Sequence, residues 1–314
     1  EVWYGDEPDP RQIEASPQGV DAQHAKHSPG YLDFDALEED VDVFFSLEWE
    51  SDDLQRQVDS AWPLLQERVA SAPLACVPPD SLLYEWRQVC HEAGVPAPAQ
   101  ASWWRRLRKA YSSPTRYYHT LEHLHAMFKW LRPLRANVNS WVDISFSVFF
   151  HDAVYEANAQ RPGANERDSA ALWRQFASEC LTAGEGRDST WHGTNASAPT
   201  MEGRVDRVAA YIERTANHLV GEADGDLAMF LDADLEVLSR SQAKYSTYAQ
   251  QVRLEYSHVP HPVYLQARAN ILRGFERSPQ LYFTRHARVA GMEEKARRNL
   301  RDEVRRLEGS GRAA

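Results

Sequence analysis

The stretch that decides the fold is SWVDISFSVFFHD, residues 140–152. Its apolar residues cover every face of a helix rather than one stripe, which is typical of a helix buried on all sides. The run ends in the pair His151–Asp152. These two polar side chains need partners, because burying an unpaired polar group costs free energy. The stretch therefore predicts a central helix with a polar site at its end.

The segments on both sides of this stretch also have the apolar spacing of helices. SLLYEWRQVCHEAG, residues 81–94, has Ser81 as a predicted N-cap and Gly94 as a predicted stop. Further helices are predicted within residues 101–111, 119–134, 165–181, 201–219, 225–238, 241–259, 261–278 and 287–309. The period-two alternation of strands is absent from the sequence. We therefore predict an all-α domain over residues 81–308.

The first 80 residues differ in composition from this helical body. Residues 1–60 hold seventeen acids and three bases, which gives −14 of a total net charge of −11 and leaves about +3 for the rest. An acidic segment interrupted by Pro and Gly predicts a mostly flexible, partly disordered arm, which a linker at 72–80 joins to the body. Residues 182–202 are small and polar and predict a surface insertion between two helices.

The overall composition excludes several classes of partner. Because the chain is acidic, we expect no nucleic-acid partner. It has no run of eighteen apolar residues and no basic-then-apolar secretion signal, so we expect no membrane partner. Cys76, Cys90 and Cys180 lack Cys-x-x-Cys spacing and indicate reduced thiols. These observations together favour a cytoplasmic protein, and they leave its oligomeric state open.

A second group of polar residues precedes the central stretch, in RYYHTLEHLH, residues 116–125. His119 and His123 are four residues apart and would share one face of a helix. His125 would point elsewhere and is expected to be structural or exposed. A third group follows the central stretch, since Asp232 and Asp234 lie in the apolar segment FLDADLEVL.

Histidines and carboxylates in this arrangement suit a divalent metal. Two imidazoles and two carboxylates are good ligands for such an ion, whose bound water becomes a nucleophile near neutral pH. A histidine one helical turn from a ligand histidine is well placed to protonate a leaving oxygen. His218, at the inner end of a predicted helix, is expected either to support a ligand or to pack at the helix end.

The order of these motifs resembles that of the HD superfamily of metal-dependent phosphohydrolases. The resemblance is strongest to a group of predicted HD-type phosphohydrolases with the motifs R-x-YHN-x-x-H, FHDxVY, NE-x-x-SA, LDADL and R-x-EY. The corresponding segments here are 116–123, 150–155, 165–170, 231–235 and 253–256. The resemblance covers about residues 81–305. It implies an HD-domain helical bundle that hydrolyses a small phosphoester, such as a nucleotide.

The resemblance also implies roles for individual residues. The implied metal ligands are His123, His151, Asp152 and Asp234. They would hold one or two divalent ions, with Mn, Fe, Ni, Zn and Mg all open. His119 would protonate the leaving group, and Asp152 would help to hold the metal or accept a proton. Of the two aspartates in LDADL, the alignment selects Asp234, and Asp232 would orient a ligand or have no role. Thr120 departs from the family pattern, which has Asn at this position.

Other polar residues are candidates for contact with the substrate. Arg116, Arg253 and Arg268 are expected to bind the phosphate of a small phosphorylated substrate, since a guanidinium forms paired hydrogen bonds with phosphate. The alternative is that they pair with surface acids or with Glu255. Glu166 is a candidate for the carboxylate that positions the attacking water, although an acid there would also suit a helix N-terminus.

Two other functions and one structural alternative compete with this interpretation. Some HD-fold proteins resemble this chain and use a di-iron pair to oxygenate a C–H bond, for which His218 would be an additional ligand. A binding module could instead keep the metal for structure or sense a nucleotide without turnover. Finally, the histidines at 119 and 123 could be core residues bonded to the backbone.

Overall fold

The computed structural model describes residues 81–158, 161–181, 201–218, 220 and 224–310. Within these ranges the chain forms eleven α-helices and two short 3-10 helices, and it has no strand. The α-helices are α1 Leu82–Glu92, α2 Ala97–Tyr111, α3 Leu121–Leu131, α4 Trp141–Phe150, α5 Ala164–Cys180, α6 Met201–Arg214, α7 Gly225–Asp234, α8 Gln242–Glu255, α9 His261–Arg277, α10 Arg285–Val289 and α11 Met292–Ser310. The 3-10 helices are Arg132–Asn137 and Leu235–Ser239. The predicted all-α fold is confirmed.

Two sequence predictions fall wholly or partly outside these ranges. The acidic arm and linker, residues 1–80, and residues 182–200 of the predicted insertion lie outside the described residues. Residues 201–202, which the sequence assigns both to the end of the insertion and to the start of the next helix, begin α6. All described residues belong to the unit Gln55–Ala314. The predicted boundary at residue 80 therefore stays a prediction.

The central helix α4 is buried along its whole length. It packs against α1, α3, α5, α6 and α7, so neighbouring helices surround it as the apolar pattern predicts. Trp86 of α1 contacts this helix edge-to-face, with its ring centroid 5.2 Å from that of Phe149. Buried aromatic rings of this size supply much of the hydrophobic stabilisation of a core. This packing fixes the end of α4, where His151 and Asp152 follow.

One acid lies inside this apolar helix. Asp143 is fully buried, and its carboxylate forms ion pairs with Arg204 at 2.8 Å and Arg207 at 3.1 Å. Both arginines lie on α6, so the ion pairs join α4 to that helix. A buried carboxylate needs such partners because desolvation disfavours its charged form. Asp143 therefore has a structural explanation and lies outside the candidate site.

Apart from the core around α4, a second cluster of buried apolar residues involves α8, α9 and α11. Glu303 of α11 holds these helices together, since it accepts hydrogen bonds from Arg268 Nε at 2.9 Å and from the Tyr245 hydroxyl at 2.5 Å. The sequence predicts one helix over residues 287–309, but the structure separates α10 from α11. Gly291 lies at the break with φ 63°, a left-handed conformation that glycine adopts without a Cβ clash.

None of the described helices combines the length and apolar character needed to cross a membrane. The thiols of Cys90 and Cys180 are both buried and unpaired, as the cysteine spacing predicts. Burial raises the pKa of the Cys90 thiol well above its ordinary value. Cys90 therefore behaves as a small apolar core residue.

Candidate metal centre

The segment before α3 carries the first histidine of the site. The sequence places His119 and His123 on one helix face, but α3 begins only at Leu121, so His119 lies in the preceding turn. Thr120 is the N-cap, and its hydroxyl accepts a hydrogen bond from the Glu122 N–H. The prediction that His119 and His123 lie on one helix is therefore wrong. The departure from Asn at position 120 now has a local function, which is to start α3.

Glu255, at the end of α8, determines the conformation of this turn. One carboxylate oxygen accepts hydrogen bonds from the N–H groups of Tyr117, Tyr118 and His119 at 2.8, 2.8 and 2.9 Å. The other oxygen lies 2.7 Å from His119 Nδ1. A carboxylate only accepts, so Nδ1 carries the proton and Nε2 points away from Glu255. The Tyr155 ring stacks on the His119 ring at 4.0 Å between centroids.

The HD pair follows the last residue of the central helix. His151 Nδ1 lies 2.9 Å from the carbonyl oxygen of Val148, one helical turn earlier. Because a carbonyl can only accept, Nδ1 is the protonated nitrogen, and Nε2 is directed into the site. Arg116 supports the same segment by donating to the carbonyl oxygens of Asp152 at 2.7 Å and Ala153 at 3.2 Å. The backbone after α4 is thereby held in place.

The last predicted ligand, Asp234, is the final residue of α7. Its Oδ1 lies 3.1 Å from His123 Nε2, and its Oδ2 lies 2.9 Å from His218 Nε2. His218 lies four residues beyond the end of α6 and has φ 51°, in the left-handed region that non-glycine residues rarely adopt. The surrounding structure therefore imposes an unfavourable backbone conformation on the residue that orients the Asp234 carboxylate.

Asp232, two residues earlier, faces away from Asp234 and the histidines that contact it. Its two carboxylate oxygens accept from the N–H groups of Phe283 at 2.8 Å and Thr284 at 2.9 Å, and the residue is fully buried. Asp232 thereby positions the chain just before α10. Of the two aspartates in LDADL, only Asp234 reaches the histidines, as the alignment with the HD pattern selects.

The polar atoms of three helices meet within a few ångströms. His123, His151 and Asp234 each offer a ligand atom within 4.8 Å of the other two. The two Nε2 atoms of His123 and His151 are 3.2 Å apart. Asp152 Oδ2 lies 3.0 Å from His151 Nε2 and 3.9 Å from His123 Nε2. We call His123, His151, Asp152 and Asp234 the His/Asp group. His119 Nε2 faces it, 4.0 Å from Asp152 Oδ2.

The charges in this group shift the protonation of its members. Burial lowers the pKa of His151, but the carboxylates of Asp152 and Asp234 outweigh burial and raise that pKa to about 9. Burial raises the pKa of Asp152, yet His151 and His119 hold it below its usual range. Burial also raises the pKa of Asp234, but hydrogen bonds from His123 and His218 outweigh it and hold that pKa well below its usual range. The negative charges of Asp152 and Asp234 thus favour positive charge where the side chains of the His/Asp group meet.

These residues fit a divalent metal ion in both chemistry and spacing. Imidazole and carboxylate ligands together suit Zn, Fe, Mn or Ni, and the carboxylates also suit Mg. Two atoms that each bind one ion at about 2.1 Å lie about 3.0–3.4 Å apart when the angle between them is near 90–109°. The distances of 3.2 Å between His123 and His151, and of 3.1 Å between His123 and Asp234, lie in this interval, and the 3.6 Å between His151 and Asp234 lies just above it. The His/Asp group could therefore hold a metal ion.

The three arginines expected at the substrate contact the protein itself. Arg116 donates to backbone carbonyls and is buried. Arg253 donates to the carbonyl oxygens of Tyr256 and Val259 at 2.5 and 3.3 Å. Arg268 is buried and paired with Glu303. Each guanidinium thus has a structural role, and the expected contact with substrate phosphate stays a prediction that this geometry does not support.

Glu166 lies in the first turn of α5, where a carboxylate stabilises the helix macrodipole. Within the described part of the chain, it forms neither a hydrogen bond nor an ion pair with the His/Asp group. The neighbouring motif residues Asn165 and Ser169 bind the chain after the HD pair, through Glu156 and Val154 respectively. The NE-x-x-SA motif therefore anchors that segment, and the role of Glu166 in positioning water stays a prediction.

Sequence reasoning missed the importance of Glu255, which it considered only as a partner for arginine. The R-x-EY motif could have pointed to it, because a motif acid without a metal-binding role often holds a neighbouring site residue. His125 is half-buried and lies in the wall of a cavity beside the His/Asp group.

Comparisons with family models, with curated proteins and with solved structures give no match for this chain.

Proposed function

We propose that this chain is a metal-dependent phosphohydrolase of the HD type that cleaves a small phosphoester. The observation that carries the proposal is the His/Asp group together with a fifth side chain, His119, which does not belong to it. His119 is held by Glu255 at 2.7 Å, and its Nε2 is 4.0 Å from Asp152 Oδ2. A metal site built for structure alone would not need an imidazole oriented beside it.

The His/Asp group would hold one or two divalent ions. Such an ion supplies, when bound, a water of lowered pKa as nucleophile and a positive charge for a phosphoryl oxygen. Asp152 has a second function in this scheme, because its carboxylate can accept the proton that the attacking water loses. His151 is fixed by its bond to Val148, so its Nε2 keeps one direction throughout.

His119 supplies the proton for the other half of the reaction. As the bond between phosphorus and the leaving oxygen breaks, the leaving oxygen takes the proton from His119 Nε2. In the imidazolium form both ring nitrogens carry a proton, so Nδ1 donates to the Glu255 carboxylate while Nε2 is free to give its proton. Glu255 keeps its own charge in this step and acts by position, in the way that a carboxylate orients a catalytic histidine elsewhere.

The first test compares three histidine variants of the protein, purified without chelator. Elemental analysis should find one or two equivalents of a divalent metal in the wild type and a loss of that metal in His123→Ala. His119→Ala should keep the metal and lose most of its hydrolysis of an aryl phosphate. His91→Ala, an exposed residue on α1, is the control and should match the wild type in both. Full hydrolysis by His123→Ala with unchanged metal content would contradict the proposal.

A second candidate function is that of a di-iron oxygenase, and it would use His218, whose Nε2 lies 2.9 Å from Oδ2 of Asp234. In a di-iron oxygenase this imidazole would turn to bind a second iron. Iron-dependent oxygen uptake with a polyol or phosphonate, without phosphate release, would favour that function. Metal-dependent phosphate release without oxygen uptake would favour hydrolysis.

A further inference from the structure

A cavity of about 800 Å³ opens beside the His/Asp group. His123 and Asp234 form part of its wall, whereas His119, His151 and Asp152 do not, so a molecule bound in it would reach two of the four candidate metal ligands. Cavities of roughly 300–1,000 Å³ are typical of sites for complete small molecules. The cavity is therefore large enough for a substrate with a substantial body behind the group that reacts. The aromatic rings of Tyr118, Trp130 and Tyr248 also line it and offer apolar contact to that body.

Two lysines give this cavity its charge. Lys129 of α3 and Lys244 in the first turn of α8 line the wall, and both are exposed. Neither forms an ion pair with any acid among the described residues. Arg240, the third cation of the wall, is bound to Glu236 at 2.6 Å and is therefore neutralised. The positive end of helix α8 adds to the field of Lys244.

Three acids of the wall face its three cations. Asp234 is bound by His123 and His218, and Glu236 is bound by Arg240. Glu122, in the first turn of α3, is the remaining acid of the lining residues. Counted formally, the wall has three cations and three acids, so it is a divalent ion offsetting the charge of Asp234 that leaves the two lysines in excess over Glu122. In the metal-loaded protein an anionic ligand is therefore favoured there over a neutral one.

The position of Lys129 separates it from the reacting group. Lys129 lies six residues after His123 on the same helix, which corresponds to about 9 Å along the helix axis at a rise of about 1.5 Å per residue. That length separates the backbones of the two residues. With its stem directed away from His123, Lys129 would meet a part of the ligand beyond the phosphate that contacts the His/Asp group.

We propose that this cavity binds a small phosphorylated molecule with a second anionic group, which Lys129 and Lys244 hold away from the His/Asp group. The inference rests on the proposed function for the role of the first phosphate. The lysines take the place of Arg116, Arg253 and Arg268, whose guanidinium groups contact the protein itself. Lysine suits this task as a charge on a flexible stem, since it does not require one fixed geometry of the anion.

The test measures binding to the metal-loaded protein by calorimetry, with matched pairs of ligands that differ by one phosphate. The pairs are fructose 1,6-bisphosphate with fructose 6-phosphate, and adenosine 3′,5′-bisphosphate with adenosine 5′-phosphate. The wild type should bind at least one bisphosphate about tenfold more tightly than its monophosphate partner, since a contact to a charged group contributes about 1.5–3 kcal/mol, and about 1.4 kcal/mol is tenfold in affinity. The variant Lys129→Met/Lys244→Met should lose this preference and keep its monophosphate affinity. Lys109→Met, an exposed lysine outside the cavity, is the control.

The outcomes separate this inference from the proposed function. If the wild type shows no preference for either bisphosphate, or if the double variant keeps the preference, the inference is overturned. Hydrolysis of an aryl phosphate, measured in the same preparations, reports on the proposed function alone. A wild type that hydrolyses the aryl phosphate without preferring a bisphosphate would keep the function and overturn the inference. A preference that depends on the lysines without any hydrolysis would keep the anion site and overturn the function.

Discussion

The Glu255 carboxylate contacts the His119 imidazole at 2.7 Å although 136 positions separate the two residues in the chain. The same carboxylate accepts the three N–H groups of the turn that carries His119. One side chain therefore fixes both the backbone of the turn and the direction of its histidine. The proposed proton donor is thus fixed in position although it lies outside a helix.

Glu255→Gln should reduce hydrolysis about 10- to 100-fold while the metal content stays at the wild-type level. Glutamine can still accept from part of the turn, but it lacks the negative charge that faces His119 when both ring nitrogens carry a proton. The measurement is the turnover rate with an aryl phosphate, together with elemental analysis. A rate within a factor of two of the wild type would show that His119 needs no carboxylate behind it. Glu156→Gln, which changes an exposed glutamate near Tyr155, is the matched control.

Glu255 also predicts how stability depends on pH. Burial raises its pKa, but the His119 contact and the turn N–H groups outweigh burial and lower the pKa to about 2, from an ordinary value of 4.5. Because the folded pKa lies below the unfolded one, the stabilisation is complete above about pH 4.5 and is lost as the pH falls toward about 2. The unfolding free energy should therefore fall more steeply from about pH 5 to about pH 3 in the wild type than in Glu255→Gln. Parallel curves from urea denaturation would contradict this.

Asp232→Asn and Asp234→Asn should have opposite effects, although the two residues are neighbours in LDADL. Asp232→Asn should keep the metal and lower the unfolding free energy by about 1–3 kcal/mol, because one of two backbone N–H groups loses its acceptor. Asp234→Asn should lose the metal and hydrolysis and remain folded. Elemental analysis and urea denaturation of both variants measure the two effects. If Asp232→Asn lost the metal and Asp234→Asn kept it, Asp232 and not Asp234 would be the metal ligand.

His218 allows the ring to be tested separately from the strained backbone. His218→Ala and His218→Gly both remove the imidazole from Asp234, so both should weaken metal binding about 10- to 100-fold. Glycine adopts a φ of 51° without strain, so His218→Gly should be more stable than His218→Ala by about 1 kcal/mol. Calorimetric metal titration and thermal unfolding measure the two effects. Equal metal affinity in both variants and the wild type would exclude a role for the ring.

Arg116→Lys should destabilise the fold by about 2 kcal/mol, because lysine cannot reproduce the forked donation to two carbonyl oxygens. The KM for an aryl phosphate should stay within a factor of two, since the guanidinium is directed at the backbone of Asp152 and Ala153. Urea denaturation and steady-state kinetics test the two parts. A tenfold rise in KM at unchanged stability would show that Arg116 contacts the substrate.

Several features of the fold and the site follow from local sequence. The apolar run around Phe146 predicts a helix buried on all sides, and α4 is such a helix. Ser81 caps α1, with its hydroxyl accepting from the Tyr84 N–H. The positions of His123, His151 and Asp234 at helix starts and ends also follow from sequence motifs. These features depend on neighbours within about one helical turn, which is the range that a pattern in the sequence reports.

Other features required contacts between distant parts of the chain. The sequence assigns Arg116, Arg253 and Arg268 to the substrate. An arginine beside a motif suits phosphate binding, and the sequence does not show which groups it contacts in the fold. Their actual partners are carbonyl oxygens and Glu303, which only packing brings within reach. The same holds for Lys129 and Lys244, which lie on different helices and line one cavity.

The sequence by itself determined the all-α character of the described residues, the central buried segment and the helix ends near which His123, His151 and Asp234 lie. Only the tertiary structure decided that Glu255 orients His119, that Asp232 turns away from Asp234, and that the arginines serve the fold. The physical reason is the range of the interactions. Helix formation and capping act over three or four residues, whereas a buried carboxylate takes whichever donors the packing of helices places around it.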